Sequence, residues 1–485
     1  MKKYINIVLS CFILLFATSC NDWLDLQPST SMVDEGESMK LLTDVNARLN
    51  GVYNQMRAYE YYGARMTYYG DACSEDMQAV SATKRVAAYY VFSYNKENAP
   101  SSFWSNCYSI IKNCNIILAG IDGVEVKSDA EKATLADYKG QALTIRALAY
   151  FDLTRLYGYP YAKDNGASLA APIVDTPVEA GYKPARNTVA ECYTFIIKDL
   201  ETAKDLLGEK KNNGRFTKWG AMSLLSRVYL YKGDDANALS TAKAAIAGAE
   251  ANSVKLWTAT EYKTAWATEF SGEVLFELQL SVTENVGNEA MGYLVNASGY
   301  DDIVISDDWM VKLMGDQTTD LRYTCVQTDG GKGSKAGLRY LWKYPVQSGE
   351  SALYLGNIKV LRLSETYLIA AEAAAKLGQN DDAVKYLNAI STRGLTANTF
   401  AGKTVTVDDV LTERRKELIG EGHRFFDAIR NHKHIVRSKD NTYKHLSGIQ
   451  PEAWDFDWSY FKVVLAVPVH EINANENIGQ QNPGY

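Results

Sequence analysis

Apolar residues return every three or four positions through much of this 485-residue chain. Leu41, Val45, Leu49, Val52 and Met56 form one such row, and Trp104, Tyr108, Ile111 and Leu118 a second. Val189, Tyr193, Ile196, Leu200, Ala203 and Leu207 form a third. Each row predicts the apolar stripe of an amphipathic helix.

A longer pattern occurs twice, in LLSRVYLYKGDDANALSTAKAAI (224–246) and YLIAAEAAAKLGQNDDAVKYLNAI (367–390). A helix ends near Gly233 or Gly378, acidic or amide residues follow, and Ala238 or Ala383 comes five positions after the glycine. Glycine supplies a left-handed C-cap, aspartate can cap the next helix, and alanine lets two antiparallel helices approach. The pattern predicts two tetratricopeptide-like hairpins, far apart in the sequence rather than tandem. Between them, residues 250–360 lose this periodicity. EVLFELQL (273–280) alternates like a short strand, and TDGGKGSKAG (328–337) reads as a loop. A helical scaffold with long irregular insertions places function on the insertions.

Composition, 46% hydrophobic and 22% charged, is that of a globular protein with a substantial core. A net charge of −7 argues against nucleic acid, whose phosphates require a basic stripe. The 32 Tyr and 9 Trp outnumber the 14 Phe, a surplus of flat apolar faces with polar handles.

The start reads as a targeting segment. Lys2 and Lys3 precede an apolar run over residues 5–17, too short to span a bilayer. ATSC (17–20) then places small residues before a cysteine, the pattern of a lipoprotein signal. Residues 1–19 are read as the signal peptide and Cys20 as the lipidated mature N-terminus. Ala17 stands where leucine is common, and ordinary secretion with cleavage near Cys20 is the alternative. A polar tether follows over residues 21–40. Cys73, Cys107, Cys114, Cys192 and Cys325 read as buried thiols.

Residues 413–430, ERRKELIGEGHRFFDAIR, look like an active site, with acids, bases and a histidine in five helical turns. Leu411, Leu418, Phe425 and Ile429 share one helical face, however, which predicts an element docked on the core. Gly420 and Gly422 are expected to break or kink it beside His423. His432 and His434 form an H-x-H pair without a third ligand at usual spacing, so no metal site is expected. No nucleophile elbow or phosphate-binding glycine loop occurs in the sequence, although a pair of facing carboxylates is not visible from sequence.

Sugar rings stack on flat aromatics, and their hydroxyls require carboxylate, amide or guanidinium partners. Two regions offer both. YEYYGARMTYYGDACSED (59–76) with KRVAAYYVFSYN (84–95) brings Tyr61, Tyr62, Tyr68, Tyr69 and Tyr90, with Asp71, Arg85 and Asn95. SGYDDIVISDDWM (298–310) with LRYLWKY (338–344) brings Tyr300, Trp309, Tyr340 and Trp342. The helical character of DDWMVKLM makes Trp309 the weakest of these. The two regions must converge in the fold to form one ligand face.

Four blocks together resemble the SusD/RagB family of Bacteroidetes surface lipoproteins: IRALAYFDLTRLYGYP (145–160), KVLRLSETYLIAAEAAAKLG (359–378), residues 413–430, and AVPVHEINANENIGQQNPGY (466–485). The tryptophan helix at 102–118 and the lipoprotein start fit as well. The resemblance implies an all-α SusD-like fold on tetratricopeptide-like hairpins, with long irregular loops and minor β content. It also implies one domain over 20–485, with an N-terminal part to about 240 and a C-terminal part from about 270. It implies a non-enzymatic protein without a cofactor, anchored in the outer membrane and facing the exterior. Such a protein captures oligosaccharide for a SusC-like TonB-dependent transporter. It places residues 413–430 in the scaffold and the ligand face on the two aromatic regions. A RagB-type peptide binder serving a similar transporter is the alternative; a hydrolase and a pure protein-binding scaffold are more distant ones.

Overall fold

A computed structural model describes residues 39–315, 317–328, 337–440 and 445–485. The signal peptide, Cys20 and nearly all of the tether lie outside these residues, as does most of the loop 328–337.

The periodic rows become a run of long helices. They are α1 (Leu42–Met56), α2 (Ser102–Gly120), α3 (Asp129–Tyr157), α4 (Val189–Leu206), α5 (Lys218–Lys232), α6 (Asp235–Ala251), α7 (Leu363–Lys376), α8 (Asn380–Gly394), α9 (Val407–Glu417) and α10 (Arg424–Arg430). Each of α1 to α8 packs on the next, and α9 packs on both α7 and α8. Local sequence sets the boundaries. Ser128 and Glu131 close a capping box on α3, as do Thr188 and Glu191 on α4 and Thr406 and Asp409 on α9. Val45, Leu49, Val52 and Met56 of the first row are buried, whereas Leu41 is exposed, because it precedes the helix as its N-cap.

Both repeated segments fold as antiparallel hairpins, α5–α6 and α7–α8. Gly233 (φ 80°) and Gly378 (φ 70°) take the left-handed turn, and Ala238 and Ala383 are buried at the helix seam. Asp234 caps α6 by accepting from the Asn237 N–H, whereas Gln379 makes no side-chain cap on α8. Far apart in the sequence, the two hairpins stack directly through α6 and α7.

The insertion between them holds short strands. β1 (Met77–Ala79), β3 (Ile303–Ile305), β5 (Arg339–Leu341) and β4 (Val326–Thr328) form an antiparallel sheet in that spatial order. β2 (Val274–Leu278) pairs with β6 (Ile358–Arg362). The alternation in β2 predicts one solvated face, but all five of its residues are buried. Glu277 accepts from the Asn357 amide (2.7 Å) and the Phe270 N–H (2.7 Å), and Lys359 lies opposite it. Cys73, Cys107, Cys114, Cys192 and Cys325 are buried free thiols.

Candidate functional site

The two aromatic regions meet on the four-stranded sheet. Met77 of β1 stands opposite Ile305 of β3, and the Ser306 N–H donates to the Asp76 carbonyl (3.0 Å). Beside this junction Lys84 binds the Tyr300 carbonyl and Asp301. Arg85 donates to Asp302 (2.7 Å) and Glu289 (2.9 Å), and its guanidinium lies 4.4 Å from the Tyr300 ring centroid.

Burial then divides the expected residues. Tyr61, Tyr62, Tyr68, Tyr69, Tyr90, Trp309 and Asp71 lie in the interior and present no face to a ligand. The tyrosine-rich stretch is not a loop. It winds into the short helix Arg65–Ala72, in which every residue from Met66 to Ala72 is buried. The Tyr61 hydroxyl donates to Asp152 (2.6 Å), and Tyr69 packs edge-on against Phe103 and Phe425. Tyr90 hydrogen-bonds His445 (2.6 Å) beneath the Arg437 guanidinium. Trp309 sits in a helical turn, Asp308–Leu313, and its indole N–H donates to the Arg415 carbonyl (3.0 Å). Asp71 accepts from the Gly422 N–H (2.6 Å), and burial raises its carboxyl pKa to about 8. Asn95 is exposed, but its side chain accepts from the Glu97 N–H (2.9 Å) in its own turn.

Of the remaining expected residues, Tyr340 and Trp342 line a cleft of about 390 Å³, together with Asn296, Ala297, Ser298, Gln327, Thr328, Val346 and Leu353. Strand periodicity puts Tyr340 and Trp342 on one face of β5 and its continuation, and Trp342 extends the ladder by donating its N–H to the Cys325 carbonyl (2.7 Å). Tyr340 is buried at the floor and Trp342 is half-buried. The opposite wall is a tight turn. Asn296 accepts from the Ser298 N–H (2.9 Å), and a Cβ at Gly299 would lie 2.3 Å from the Tyr293 carbonyl oxygen, so only glycine fits. Half-buried tyrosines extend the rim: Tyr293 is near-parallel to Tyr354 at 6.2 Å and tilted against Tyr300 at 5.8 Å. Tyr293, Tyr354, Asn296, Ser298 and Gln327 escape the sequence reading. The turn N-A-S-G framed by Tyr293 and Tyr300 is the signal that could have found three of them, Tyr293, Asn296 and Ser298.

Comparison with known proteins now bears on the same chain. Residues 22–230 match the SusD-like_3 family, described as starch-binding associating with outer membrane, and residues 257–485 match SusD_RagB, the SusD family. A SusD superfamily protein from Bacteroides vulgatus superposes with TM-score 0.84 at 37% identity, over 92% of this chain and 100% of its own. The chain belongs to the SusD/RagB family. Another crystal structure from Bacteroides vulgatus is 46% identical, with TM-score 0.87 over 93% of this chain and 100% of its own. A SusD-like protein of Formosa agariphila is 23% identical over 90% of this chain and 93% of its own. The SusD/RagB fold is thereby established, including the all-α scaffold expected from the sequence. Among the described residues no helix is long and apolar enough to cross a membrane.

In this SusD/RagB protein most of residues 413–430 are buried, and their acidic side chains form ion pairs. α9 ends at Glu417, and Gly420 (φ 78°) and Gly422 (φ 79°) break the helix before α10, with His423 at the N-cap. A Cβ at Gly70 would lie 2.1 Å from the Gly422 carbonyl oxygen, so the break lets this backbone press on the helix Arg65–Ala72. Glu413, Glu417 and Glu421 pair with basic residues remote in sequence rather than along their own helix surface. Glu417 accepts from Arg393 (2.7 Å) and Arg362 (3.1 Å), Glu413 binds Arg322, and Glu421 accepts from Arg362 (2.7 Å) and Lys343 (2.7 Å). Asp427 accepts from Arg414 (2.7 Å) and Arg430 (2.8 Å). Burial opposes ionisation of Glu417, but the surrounding Arg393, Arg362, Lys343 and Arg322 outweigh it and hold its pKa at about 2. Burial lowers the His423 pKa to about 4. A carboxylate held ionised this firmly and an imidazole held neutral are poorly matched to proton transfer near neutral pH.

Proposed function

We propose that this protein is a surface lipoprotein that captures oligosaccharide in the Tyr340–Trp342 cleft. It then passes its ligand to a SusC-like TonB-dependent transporter. Cys20 carries the lipid that holds it on the outer membrane, facing the exterior.

The observation that carries this reading is the pairing of an open aromatic wall with short amide and hydroxyl side chains. Trp342 offers a flat face for the C–H groups of a pyranose ring. Asn296, Ser298, Gln327 and Thr328 offer donors and acceptors for its hydroxyls. None of the nine lining residues is a carboxylate, whereas glycoside hydrolysis ordinarily needs two. The cleft is read here as a binding site. The starch-binding description of the family matched by residues 22–230 supports a glycan. A laminarin-binding SusD-like protein, 23% identical at TM-score 0.72 over 92% of this chain and 100% of its own, shares the fold.

The peptide alternative would draw on a separate charged cleft of about 290 Å³ that includes Glu75, Asp308, Arg415 and Arg424. Its two arginines are already engaged: Arg424 donates to Glu75 (2.6 Å) and Arg415 binds Asp76. Lys312 is exposed in the same cleft, so the preference for glycan rests on the aromatic wall at Trp342 rather than on a lack of charge here.

A glycan-array screen of the purified mature chain tests the ligand, with bound and unbound glycans re-measured on Trp342→Ala. Loss of the array signal in the variant is expected; binding of peptides but no glycan would overturn the reading. For the anchor, Cys20→Ala is expected to move the protein out of the membrane fraction. Continued palmitate incorporation by that variant would show the lipid site to be elsewhere.

A further inference from the structure

A second cleft, of about 570 Å³, lies between α2, the segment 172–184 and the C-terminal residues 471–478, and it shares no lining residue with the cleft at Trp342. We infer that it is a second oligosaccharide site, with Tyr182 as its stacking face.

The cleft is built by the pinning of one segment at both ends. At its start, the Tyr108 hydroxyl donates to the Pro172 carbonyl (2.7 Å) and the Asn115 amide to the Val174 carbonyl (2.8 Å). At its end, the Asn475 amide donates to the Pro184 carbonyl (2.8 Å) and the Asn477 amide to the Lys183 carbonyl (2.8 Å). Between these anchors the chain turns at Gly181 (φ 86°), and the Tyr182 N–H donates to the Glu179 carbonyl (3.2 Å). Trp104 and Ile478 are buried at the floor, whereas Tyr182 and Val178 line the same cleft and are 56% and 47% exposed. Two large apolar side chains held in water at the mouth of a pre-formed cleft mark a surface shaped for a ligand.

The polar groups say which kind. Glu471 stands half-buried in the wall, 3.4 Å from the exposed His470 imidazole, and Lys183 is exposed 3.6 Å from Glu476. Such solvated pairs hold their partners weakly. The Ser105 hydroxyl donates to the Ser102 carbonyl (3.2 Å), which leaves its oxygen able to accept. A wholly apolar ligand would strip water from Glu471 and Lys183 and return nothing. A pyranose covers Tyr182 with its C–H face and gives its hydroxyls to the carboxylate and the ammonium. Tyr182 is more open than half-buried Trp342, so less of the ligand is covered and this is the weaker of the two sites.

The test reads Tyr182 directly. The mature chain, labelled with 3-fluorotyrosine, is titrated with cello-, laminari-, malto- and xylo-hexaose, each to about 20 mM, and Tyr182→Phe assigns the Tyr182 fluorine signal. At least one hexaose is expected to shift that signal along a saturating curve whose midpoint is unchanged in Trp342→Ala. Glu471→Ala should weaken this midpoint at least about threefold, with thermal unfolding and the calorimetric isotherm of the Trp342 cleft as in the parent. A Tyr182 signal unmoved by all four hexaoses would overturn the second site, and saturation of the Trp342 cleft in the same titration would leave the first standing. A shift that vanishes in Trp342→Ala would also overturn it, because a single site would then account for both responses. A Tyr182 shift in a protein whose calorimetric binding ignores Trp342→Ala would support this site and overturn the reading at Trp342.

Discussion

Glu417 and Trp342 mark two regions that use polar chemistry in opposite ways. Around Glu417, carboxylates and guanidinium groups are buried and ion-paired with one another, and the Glu417 carboxyl is held well below its ordinary range. Around Trp342, the polar groups are uncharged and an aromatic face stands partly open beside a cleft. The first region is rich in residues that catalyse reactions elsewhere, yet its charges are buried against one another. The second is chemically modest, yet it has unfilled space and exposed apolar area. A ligand site is recognised by what its groups have not already spent on one another.

The largest expected effects fall on the buried side. Glu417→Gln removes one partner from a desolvated network and is expected to cost about 3–5 kcal/mol of stability in urea unfolding, with glycan affinity of the folded protein unchanged. Its acid dependence has a defined sign. The folded pKa of about 2 lies below the ordinary 4.5, so the stability contributed by Glu417 is complete above pH 4.5 and is lost as pH falls toward 2. The glutamine variant should lose that part of the acid transition. A variant of normal stability that binds no glycan would make this stretch a functional site after all. Tyr69→Ala belongs to the same class. Its ring is buried against Phe103 and Phe425, so truncation is expected to cost about 3–5 kcal/mol and leave affinity intact.

Trp342→Ala should invert this result. A stacked aromatic at the centre of an interface carries about 2 kcal/mol, so affinity should fall roughly thirtyfold, while the melting temperature stays close to that of the parent. The pair Tyr69→Ala and Trp342→Ala thus separates tyrosine used as core from tryptophan used as platform. Equal affinity in both variants would erase the comparison.

Most of the scaffold was legible because its signals are local. Capping boxes at Ser128, Thr188 and Thr406, glycines at 233 and 378 and the apolar rows each act within a few residues, and each element follows. The convergence of the two aromatic regions followed from their chemistry. Which aromatics face outward did not. Tyr68 and Trp342 both stand in short aromatic runs, and only the packing of α10 on the helix Arg65–Ala72 makes the first a core residue while the second stays half-buried. Likewise Glu413 pairs with Arg322, which is remote in sequence, and local spacing does not disclose such a partner. Burial and long-range pairing are tertiary facts, and periodicity carries little information about them.

Asp71 gives a smaller and oppositely signed test. Burial raises its pKa from 3.8 to about 8, so between those values the folded state holds a proton that the unfolded chain releases. Stability is therefore expected to fall as pH rises through this window, by about 1.4 kcal/mol per pH unit from this group alone, and to level off above pH 8. Asp71→Asn can still accept from the Gly422 N–H and should flatten that slope. Unfolding measured at pH 6 and pH 7 in both proteins checks it. An unchanged slope in the variant would mean that Asp71 is ionised in the folded protein.

The smallest effect is expected at the rim, where it sharpens the boundary of the site. Tyr300 is half-buried, lies beneath Arg85 and leans on Tyr293, so part of its ring is occupied before a ligand arrives. Exposed cation–π pairs contribute about 0.5–1 kcal/mol, and rim contacts around a central aromatic contribute little more. Tyr300→Ala should then weaken a hexasaccharide about two- to fivefold and leave a disaccharide bound at Trp342 unaffected. Because Arg85 stays paired with Asp302 and Glu289, neither affinity should depend on salt. A loss at Tyr300 as large as that at Trp342, with marked salt dependence, would move the centre of recognition from the uncharged cleft to the Arg85 rim.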